Sequence, residues 1–518
     1  MPRVTNKHPF SPVIIAASLF FGLTAAAKDI DERKWILMET ANFSVHSSLS
    51  EKKTRDILLH LEALRGVFAS GMDSTSKLEE KPTHILVVGK SSDYRKLGLP
   101  ENSAGWFMRD LRNNYIIISN SSRMSESQII LHEYIHFIMH STQRFPYPKW
   151  WSEGYAEYVS SSELSKKHFD FGLPLDGRLN DLANSSWLPW EDVIMATSLS
   201  DLTKRKRALY YAQSWFLVHF LHNRKDEPLS VGESWSDYLG HLRNGDSVLS
   251  AFEQAFNVPI DELKRGLQRY SKGGTYKYWR IPVEAVVPEF EPAVKPVSRH
   301  DIQIQLGQFT LLRHDAAPAK EWFEAALALD SESAVARSGL GSATAMSDDL
   351  DGAEQHFEAA LENAPDDPVI LTEHAKFEMD RASSGDAWFT RGDHLEKAEK
   401  LLTKARSIGG GTVEIDTYLA YLWLETDDDP WPALRLLESV VVRSPSDQWP
   451  MLLLAEGFSR VGESDAAVNL AQSVILYDHG ESSYSTAAQR LIDQIQGTDQ
   501  KRSAARPNIA APALPATD

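Results

Sequence analysis

Apolar positions in the first half of the chain predict a small sheet flanked by helices. Alternating polar and apolar residues predict strands at 43–46, 83–88 and 115–119. Helical spacing of apolar residues predicts one helix over 50–68 and another from Ser125 onward. This mixture of strands and helices is typical of an α+β domain.

The second half of the chain carries a helical pattern with a period of thirty-four residues. The recurring positions are Leu306-Gly307, Ala319, Phe323 and Ala326 in one unit and Leu340-Gly341, Ala353, Phe357 and Ala360 in the next. Small residues there let paired helices approach closely, and the period resembles that of tetratricopeptide repeats. We expect about five repeats forming an all-α solenoid over 300–497, with weaker copies at 371–405, 417–445 and 451–474. Its groove would bind a protein or peptide partner; the alternative is that it only stabilises the first domain.

Three further segments mark the boundaries of the predicted domains. Residues 1–27 combine a basic start, a short apolar run and an Ala-Ala-Ala end, which is typical of a secretory signal peptide, with an uncleaved anchor as the alternative. Residues 282–299 are rich in proline and predict a semi-rigid linker. Residues 498–518 have no helical period and predict a disordered tail. The first folded domain is therefore expected over 28–281, in a periplasmic or secreted bacterial protein.

The composition is that of a globular protein with an acidic excess. The 518 residues carry a formal net charge of −18, which argues against nucleic acid or an anionic membrane surface as a partner. Nothing after the signal segment is apolar over a length that favours stable membrane insertion. The sequence has no cysteine, so disulfides and thiolate ligands are excluded, and any metal must be held by His, Asp or Glu.

The helix predicted from Ser125 contains the motif His-Glu-Tyr-Ile-His at 132–136. Because an α-helix turns once in 3.6 residues, His132 and His136 project from one face and are spaced to bind one metal ion. Glu133, next to the first histidine, could hold a metal-bound water and take its proton. This spacing on a helix is a zinc-hydrolase signature. The alternative is two histidines packed on a half-buried face.

A second motif follows in the segment from Trp150 to Tyr158. A helix beginning near Ser152 would direct Glu153 toward the two histidines, as a third ligand that leaves the fourth tetrahedral position for water. Sixteen residues separate His136 from Glu153. Glu157 lies one turn further on, where it could accept the free N–H of a ligand histidine and fix its tautomer.

Together, H-E-x-x-H and the later W-x-E-G-x-A-x-Y resemble the motifs of the gluzincin metallopeptidases, the group that contains thermolysin and the zinc aminopeptidases, and most of all those of the bacterial peptidase-MA-like proteins. The resemblance implies an α+β peptidase domain that binds Zn²⁺. It implies His132, His136 and Glu153 as the metal ligands and Glu133 as the general base. It also implies that the strand at 115–119 borders the cleft and that substrate backbone could pair with it, with residues 104–107 preceding or overlapping that edge.

The sequence Y-A-Q-S-x-x-L-V-x-x-L from residue 211 is similar to a helix of the related aminopeptidases whose first tyrosine donates a hydrogen bond to the oxyanion. The similarity implies that Tyr211 is a catalytic donor, with Tyr210 as the adjacent competitor. The alternative is a tyrosine that is only packed at the start of a core helix.

The basic residues at 204–207 are expected to form a solvated helix start. Residues 169–197 are expected to be irregular and to wrap the cleft.

These patterns predict a zinc metallopeptidase in which Glu133 accepts a proton from water and later passes it to the leaving amine. The segment 101–106 has no counterpart of the G-x-M-E-N stretch of aminopeptidases, so endopeptidase or partner-specific action is expected. Two alternatives stay open: a catalytically silent exported scaffold, and hydrolysis of esters or non-peptide amides. His140 is expected to be a helix-end residue, because a fourth protein ligand would close the position for water.

Overall fold

The computed structural model describes residues 30–505 with short gaps, and the predicted signal segment 1–27 lies outside the described residues. The gaps fall at 72–80, 100–104, 120–125, 143–146, 197–198, 200, 224–230, 245, 288–291, 384–389, 446 and 478–482. The described chain divides into two compact units, residues 30–415 and residues 416–505. Within these residues, no helix combines the length and the apolar character that spanning a membrane requires.

The larger unit begins with a mixed sheet that confirms the three predicted strands and adds three more. The strands of the chain are β1 (Ile36–Glu39), β2 (Phe43–Ser47), β3 (Thr83–Val88), β4 (Gly105–Arg109), β5 (Asn114–Ser119), β6 (Glu163–Leu164), β7 (His168–Phe171), β8 (Trp279–Pro282) and β9 (Val294–Pro296). Six of them form one sheet in the order β4-β5-β3-β2-β1-β9, in which β3 runs parallel to β2 and β5. The strands β6, β7 and β8 form a separate antiparallel sheet.

The edge strand of the sheet beside the predicted metal helix is β4, and the strand predicted at 115–119 lies inside the sheet. β4 pairs antiparallel with β5, with Gly105 opposite Ile118, and it ends the sheet on that side. β5 lies between β4 and β3 and is an interior strand. Both edges of β5 are paired, which corrects the expectation that substrate backbone could pair with 115–119.

In the part of the chain that the structure describes, ten α-helices follow or flank these strands before the repeats begin. They are α1 (Glu51–Gly71), α2 (Ser91–Lys96), α3 (Glu126–Thr142), α4 (Lys149–Ser160), α5 (Asp176–Ala183), α6 (Trp190–Met195), α7 (Lys204–Asn223), α8 (Val231–Arg243), α9 (Val248–Ala255) and α10 (Ile260–Lys272). Alternate residues of β3 and β5 face opposite sides of the sheet: Ile85 and Ile116 join the core formed with α1 and α3, whereas Leu86 and Ile117 join a second core. Both faces of the sheet are covered, which explains why these strands read as nearly continuous apolar runs.

The predicted helical repeat is present and packs as the small residues require. The helices are α11 (Arg299–Leu312), α12 (Ala316–Leu329), α13 (Ala334–Ala345), α14 (Leu350–Asn363), α15 (Pro368–Ser383), α16 (Arg391–Gly409), α17 (Val413–Thr426), α18 (Trp431–Arg443), α19 (Gln448–Val461), α20 (Ser464–Tyr477) and α21 (Ser483–Ala505). A Cβ on Gly307 would lie 2.7 Å from the ring of Phe323, and one on Gly341 would lie 3.1 Å from Phe357. Close approach within each helix pair, repeated thirty-four residues apart, confirms the tetratricopeptide-like arrangement.

The first repeat packs directly on the sheet. Ile302, Leu306 and Phe309 of α11 share the second core with Leu86 and Ile117. This contact buries the face of the sheet that lies opposite α1 and α3. In the smaller unit, α19 packs against α20 and α20 against α21, with a core of small and branched apolar residues.

Two predicted segments differ from what the structure contains. The stretch 282–299, predicted as a linker, includes the end of β8 and all of β9, and β9 pairs antiparallel with β1. Proline is tolerated there because β9 is an edge strand, where one side needs no ladder hydrogen bonds. The predicted disordered tail at 498–518 begins inside α21, which continues to Ala505, and residues 506–518 lie outside the described part. The domain boundary at 281 stays a prediction.

A buried carboxylate joins α15 to α16. Glu378 is fully buried, and its Oε1 accepts hydrogen bonds from His374 at 3.1 Å and Lys397 at 2.7 Å. Its Oε2 accepts one from His394 Nδ1 at 2.6 Å. Burial alone would raise the pKa of Glu378, but the bonds from these three partners outweigh it and lower the pKa to about 2. The hydrogen bonds from His374, Lys397 and His394 therefore require the ionised form of the Glu378 carboxylate.

Replacing Glu378 with glutamine is expected to lower the free energy of opening of α15 and α16 by about 3 kcal/mol at neutral pH. Because the pKa in the folded protein lies below the ordinary value of 4.5, this stabilisation is complete above pH 4.5 and is lost as the pH falls toward about 2. Amide hydrogen exchange of the two helices across this pH range measures both effects. The exposed Glu362→Gln change in α14 serves as control, and equal protection in Glu378→Gln and the parent at pH 7 contradicts the prediction.

Candidate metal centre

Two helices bring the predicted metal ligands together. The buried face of α3 is formed by Ile129, Ile130, Tyr134, Ile135 and Ile138. This leaves His132, Glu133 and His136 half-buried on the other side of α3. The next helix, α4, packs closely on α7, since a Cβ on Gly154 would lie 2.4 Å from the backbone oxygen of Ser214. Because Gly154 allows this close packing, it helps to set the position from which Glu153 and Glu157 of α4 face α3.

The three predicted ligands meet at one point. His132 Nε2 and His136 Nε2 are 3.2 Å apart, and each lies 3.5 Å from Glu153 Oε2. These are the donor atoms that a divalent metal would use, and one such atom from each residue lies within 4.8 Å of the others. Among the described residues, this is the one group of three or more histidine, aspartate or glutamate side chains with that property.

The donor separations fit a tetrahedral ion. Zinc bonds to histidine nitrogen and carboxylate oxygen are about 2.0 to 2.2 Å long, which places neighbouring donors of a tetrahedron about 3.4 Å apart. The observed separations of 3.2, 3.5 and 3.5 Å lie within a few tenths of an ångström of that value. The donor set of two imidazoles and one carboxylate is also one that zinc prefers in catalytic sites. The residues present therefore fit the ion that the motif implies.

The electrostatic environment of the cluster favours positive charge. Burial lowers the pKa of His132, but contact with Glu153 and the nearby charges of Glu157 and Glu133 outweigh it and raise the pKa to about 9. The pKa of Glu153 lies well below its ordinary range, because the histidines and Lys149 outweigh its burial. Lys149 Nζ contacts Glu153 Oε1 at 3.2 Å, which leaves Oε2 directed at the histidines.

Glu157 lies beside the first histidine and is held by an arginine that the sequence analysis missed. Its Oε1 is 3.9 Å from His132 Nδ1, which is longer than a hydrogen bond. Arg178 of α5 donates two hydrogen bonds to the Glu157 carboxylate, at 2.5 and 3.0 Å. Glu157 therefore lies near His132 without hydrogen-bonding to it, and its carboxylate is held by Arg178; its role in orienting the histidine stays a prediction. On the other ligand, Ser152 Oγ lies 3.2 Å from His136 Nδ1.

The predicted base lies against the edge strand. A Cβ on Gly105 of β4 would lie 3.0 Å from Glu133 Cγ and 3.5 Å from its Oε1. Because Gly105 has no side chain, the backbone of β4 approaches the Glu133 carboxyl closely. The three candidate ligands, the carboxylate of Glu133 and Gly105 at the start of β4 thus lie close together.

The two adjacent tyrosines lie in different surroundings. Tyr210 is 1% exposed and belongs to the core. Tyr211 is half-buried, and its ring lies 5.5 Å from the Arg178 guanidinium. The pKa of Tyr211 is raised mainly by burial and then by the charges of Glu153, Glu157 and Glu133. This arrangement favours Tyr211 over Tyr210 as a hydrogen-bond donor to a bound molecule. The side chain of His140 lies outside the described residues.

Comparison with known proteins gives similarities of fold at low scores. No protein family matches the chain, and no curated protein shows significant sequence similarity to it. The solved structures that match include TTC0263, a thermophilic TPR protein of Thermus thermophilus, at 14% identity and a TM-score of 0.33, over 36% of this chain and 98% of that one. PilF of Pseudomonas aeruginosa matches at 17% identity and a TM-score of 0.30, over 40% of this chain and 93% of that one.

A further match is PilW, a type IV pilus biogenesis factor, at 15% identity and a TM-score of 0.30, over 40% of this chain and 95% of that one. Similarities at these scores carry no inference about function. The class of the protein follows from the packing of its own helices and the geometry of the ligand cluster. It is a tetratricopeptide-like repeat protein whose N-terminal part holds a candidate centre of two histidines and a glutamate.

Proposed function

We propose that the chain is a zinc-dependent hydrolase that cleaves peptide bonds. The observation that carries the proposal is the convergence of His132, His136 and Glu153 at tetrahedral donor spacing, with Glu133 beside the first ligand. When bound, a zinc ion supplies a Lewis acid that lowers the pKa of water and polarises a carbonyl group. His132, His136 and Glu153 would hold that ion.

The remaining side chains of the cleft have separate roles in this proposal. The Glu133 carboxylate accepts a proton from the attacking water and returns it to the leaving amine. The Tyr211 hydroxyl donates a hydrogen bond to the carbonyl oxygen as negative charge develops there. Glu157, fixed by Arg178, orients the ring of His132.

Peptides are the favoured substrate because of where β4 lies. An extended peptide along β4 would bring its backbone beside Glu133, since Gly105 lets the strand approach the carboxyl closely. The segment that would hold a free amino group in aminopeptidases is absent from the sequence at 101–106, so endopeptidase or partner-specific cleavage is proposed. The signal-like segment 1–27 supports action outside the cytoplasm, in the periplasm or the medium.

A second candidate is a catalytically silent exported scaffold. The observation that favours it is the tetratricopeptide-like helical region from Arg299 onward, an architecture that offers extended surfaces for protein or peptide partners. In this alternative the cluster at α3 and α4 would be structural.

The metal content and the chelator sensitivity of the full-length protein test the two candidates. We expect about one zinc per chain by mass spectrometry of metals, lost in His136→Ala and retained in the control His168→Ala. We also expect cleavage of unfolded casein that 1,10-phenanthroline abolishes and added zinc restores. Bound zinc without chelator-sensitive cleavage of casein or of a peptide library would favour the scaffold. A protein that binds no zinc at micromolar free zinc would overturn both the centre and the hydrolase.

A further inference from the structure

The tip of the β4–β5 hairpin is bound by the helical repeats. Arg112 in this tip donates a hydrogen bond from Nη2 to Glu373 of α15 at 2.7 Å and one from Nε to Glu414 of α17 at 2.6 Å. The contact joins residues 261 and 302 positions apart in the chain. All of these residues belong to the larger compact unit.

Carboxylates of the repeats and of the hairpin tip surround two cations, Arg112 and Lys376, in this contact. Lys376 of α15 contacts the same carboxylates, at 3.1 Å from Glu373 and 3.4 Å from Glu414. The side chain of Glu414 is only 5% exposed, and that of Arg112 is 24% exposed. The hairpin tip adds a further carboxylate, that of Asp110, whose pKa is raised by burial and by the charge of Glu414. Arg112 is therefore the group through which the tip attracts Glu373 and Glu414, and without it these two carboxylates would have Lys376 as the one cation that contacts both.

The hairpin tip is built to present this arginine. Asp110 Oδ1 accepts backbone hydrogen bonds from Arg112 at 2.8 Å and from Asn113 at 2.6 Å, which closes the turn. Lys81 donates to the backbone oxygen of Asp110 at 3.1 Å and ties the turn to the neighbouring strand. The guanidinium is thus held by a turn with little freedom, which reduces the entropy lost on forming the contact.

One short strand connects this contact to the candidate site. β4 runs from Arg109 at the tip to Gly105 beside Glu133, a length of about 14 Å at the usual rise per residue. The first repeat separately packs on the opposite face of the sheet through Ile302, Leu306 and Phe309. The hairpin is therefore held at its tip by Glu373 of α15 and Glu414 at the start of α17, and at its other end by α3.

We propose that the helical repeats position the edge strand of the candidate site through Arg112, so that part of the repeat surface is an internal binding site for the chain's own hairpin. Arg112 is a positioning residue: it touches no ligand of the metal and acts through β4. The effect of Arg112 on substrate binding rests on the proposed peptidase function. The contact of Arg112 with Glu373 and Glu414 does not depend on that function.

Amide hydrogen exchange on the full-length protein tests the contact. Arg112→Met, which keeps the apolar stem and removes the guanidinium, is expected to raise exchange of the amides of β4 and of the turn at 110–113 by about tenfold or more. The change Glu373→Gln, on the repeat side, is expected to raise exchange of the same hairpin amides. Arg55→Met, which removes an exposed ion pair with Glu51 on α1, serves as control and should leave the hairpin unchanged.

The outcomes separate this inference from the proposed function. If neither variant alters hairpin exchange, or if Arg112→Met does so and Glu373→Gln does not, the repeats do not position the strand. For peptide cleavage, the inference predicts a raised KM with kcat nearly unchanged in both variants, because β4 contacts the substrate and not the reacting atoms. A protein without cleavage activity but with the expected exchange would support the contact and contradict the peptidase.

Discussion

Replacing Glu133 with glutamine is expected to reduce peptide cleavage by about two to four orders of magnitude while the zinc content stays the same. Glutamine keeps the length and shape of the side chain and can still contact the backbone near Gly105, but it cannot accept a proton. His132, His136 and Glu153 are unchanged, so the binding of metal is not affected. Initial rates on a fluorogenic peptide, with metal content measured on the same sample, give both quantities.

The control for this change is Glu163→Gln, an exposed glutamate in β6. It removes the same charge from the surface and should leave both cleavage and zinc content unaltered. Retained cleavage in Glu133→Gln would contradict the assignment of the base. Loss of zinc from the same variant would show instead that Glu133 supports the ligands, and the proton transfer would then need another group.

The cluster of candidate ligands could be predicted from the sequence because its residues lie in two short motifs close together along the chain. His132 and His136 lie one helical turn apart, so their common face follows from helix geometry alone. Glu153 was found through a second motif, and the structure brings its carboxylate to 3.5 Å from both histidine nitrogens. The assignment of zinc and of catalytic roles to these residues stays a prediction.

Arg178 could not be predicted because its role depends on packing between distant elements. It lies in α5, within the stretch 169–197 that was expected to be irregular, and α5 buries only Leu182. A polar helix of eight residues gives no clear apolar periodicity. Only the folded chain places its guanidinium on Glu157 of α4.

The order of the two strands at this edge of the sheet could not be predicted from the sequence for a related reason. β5 is strongly apolar because both of its faces are buried, so it was easily recognised as a strand. β4, with the sequence Gly-Trp-Phe-Met-Arg, is largely half-buried and lacks clear alternation. The strand that borders the cleft therefore carries the weaker sequence signal, as half-covered edge strands commonly do.

The period of the repeats could be predicted from the sequence, but the contact between the repeats and the β4–β5 hairpin could not. Glycine and phenylalanine recur at the same places because each helix pair must approach closely, and the sequence shows that requirement directly. Glu373 and Glu414 look like ordinary surface acids in the sequence. Their pairing with Arg112 depends on how the repeats fold back on the sheet, which no local pattern encodes.

Replacing Tyr211 with phenylalanine is expected to lower kcat for peptide cleavage by about two to three orders of magnitude, with little change in KM or zinc content. The hydroxyl is the only group removed, and in the proposed mechanism it interacts with the carbonyl oxygen chiefly as negative charge develops. A loss confined to kcat is the signature of such an interaction. Steady-state kinetics on the same peptide used for Glu133→Gln would measure it.

The matched control is Tyr210→Phe, because the neighbouring tyrosine has the same chemistry but lies in the core at 1% exposure. Its removal should leave kcat within a few-fold of the parent, since Tyr210 is packed in the hydrophobic core. The reverse result, with activity lost in Tyr210→Phe and kept in Tyr211→Phe, would move the donor to the other residue. If both variants cleave like the parent, stabilisation of the oxyanion must come from the metal centre and from Arg178, whose guanidinium lies 5.5 Å from the Tyr211 ring.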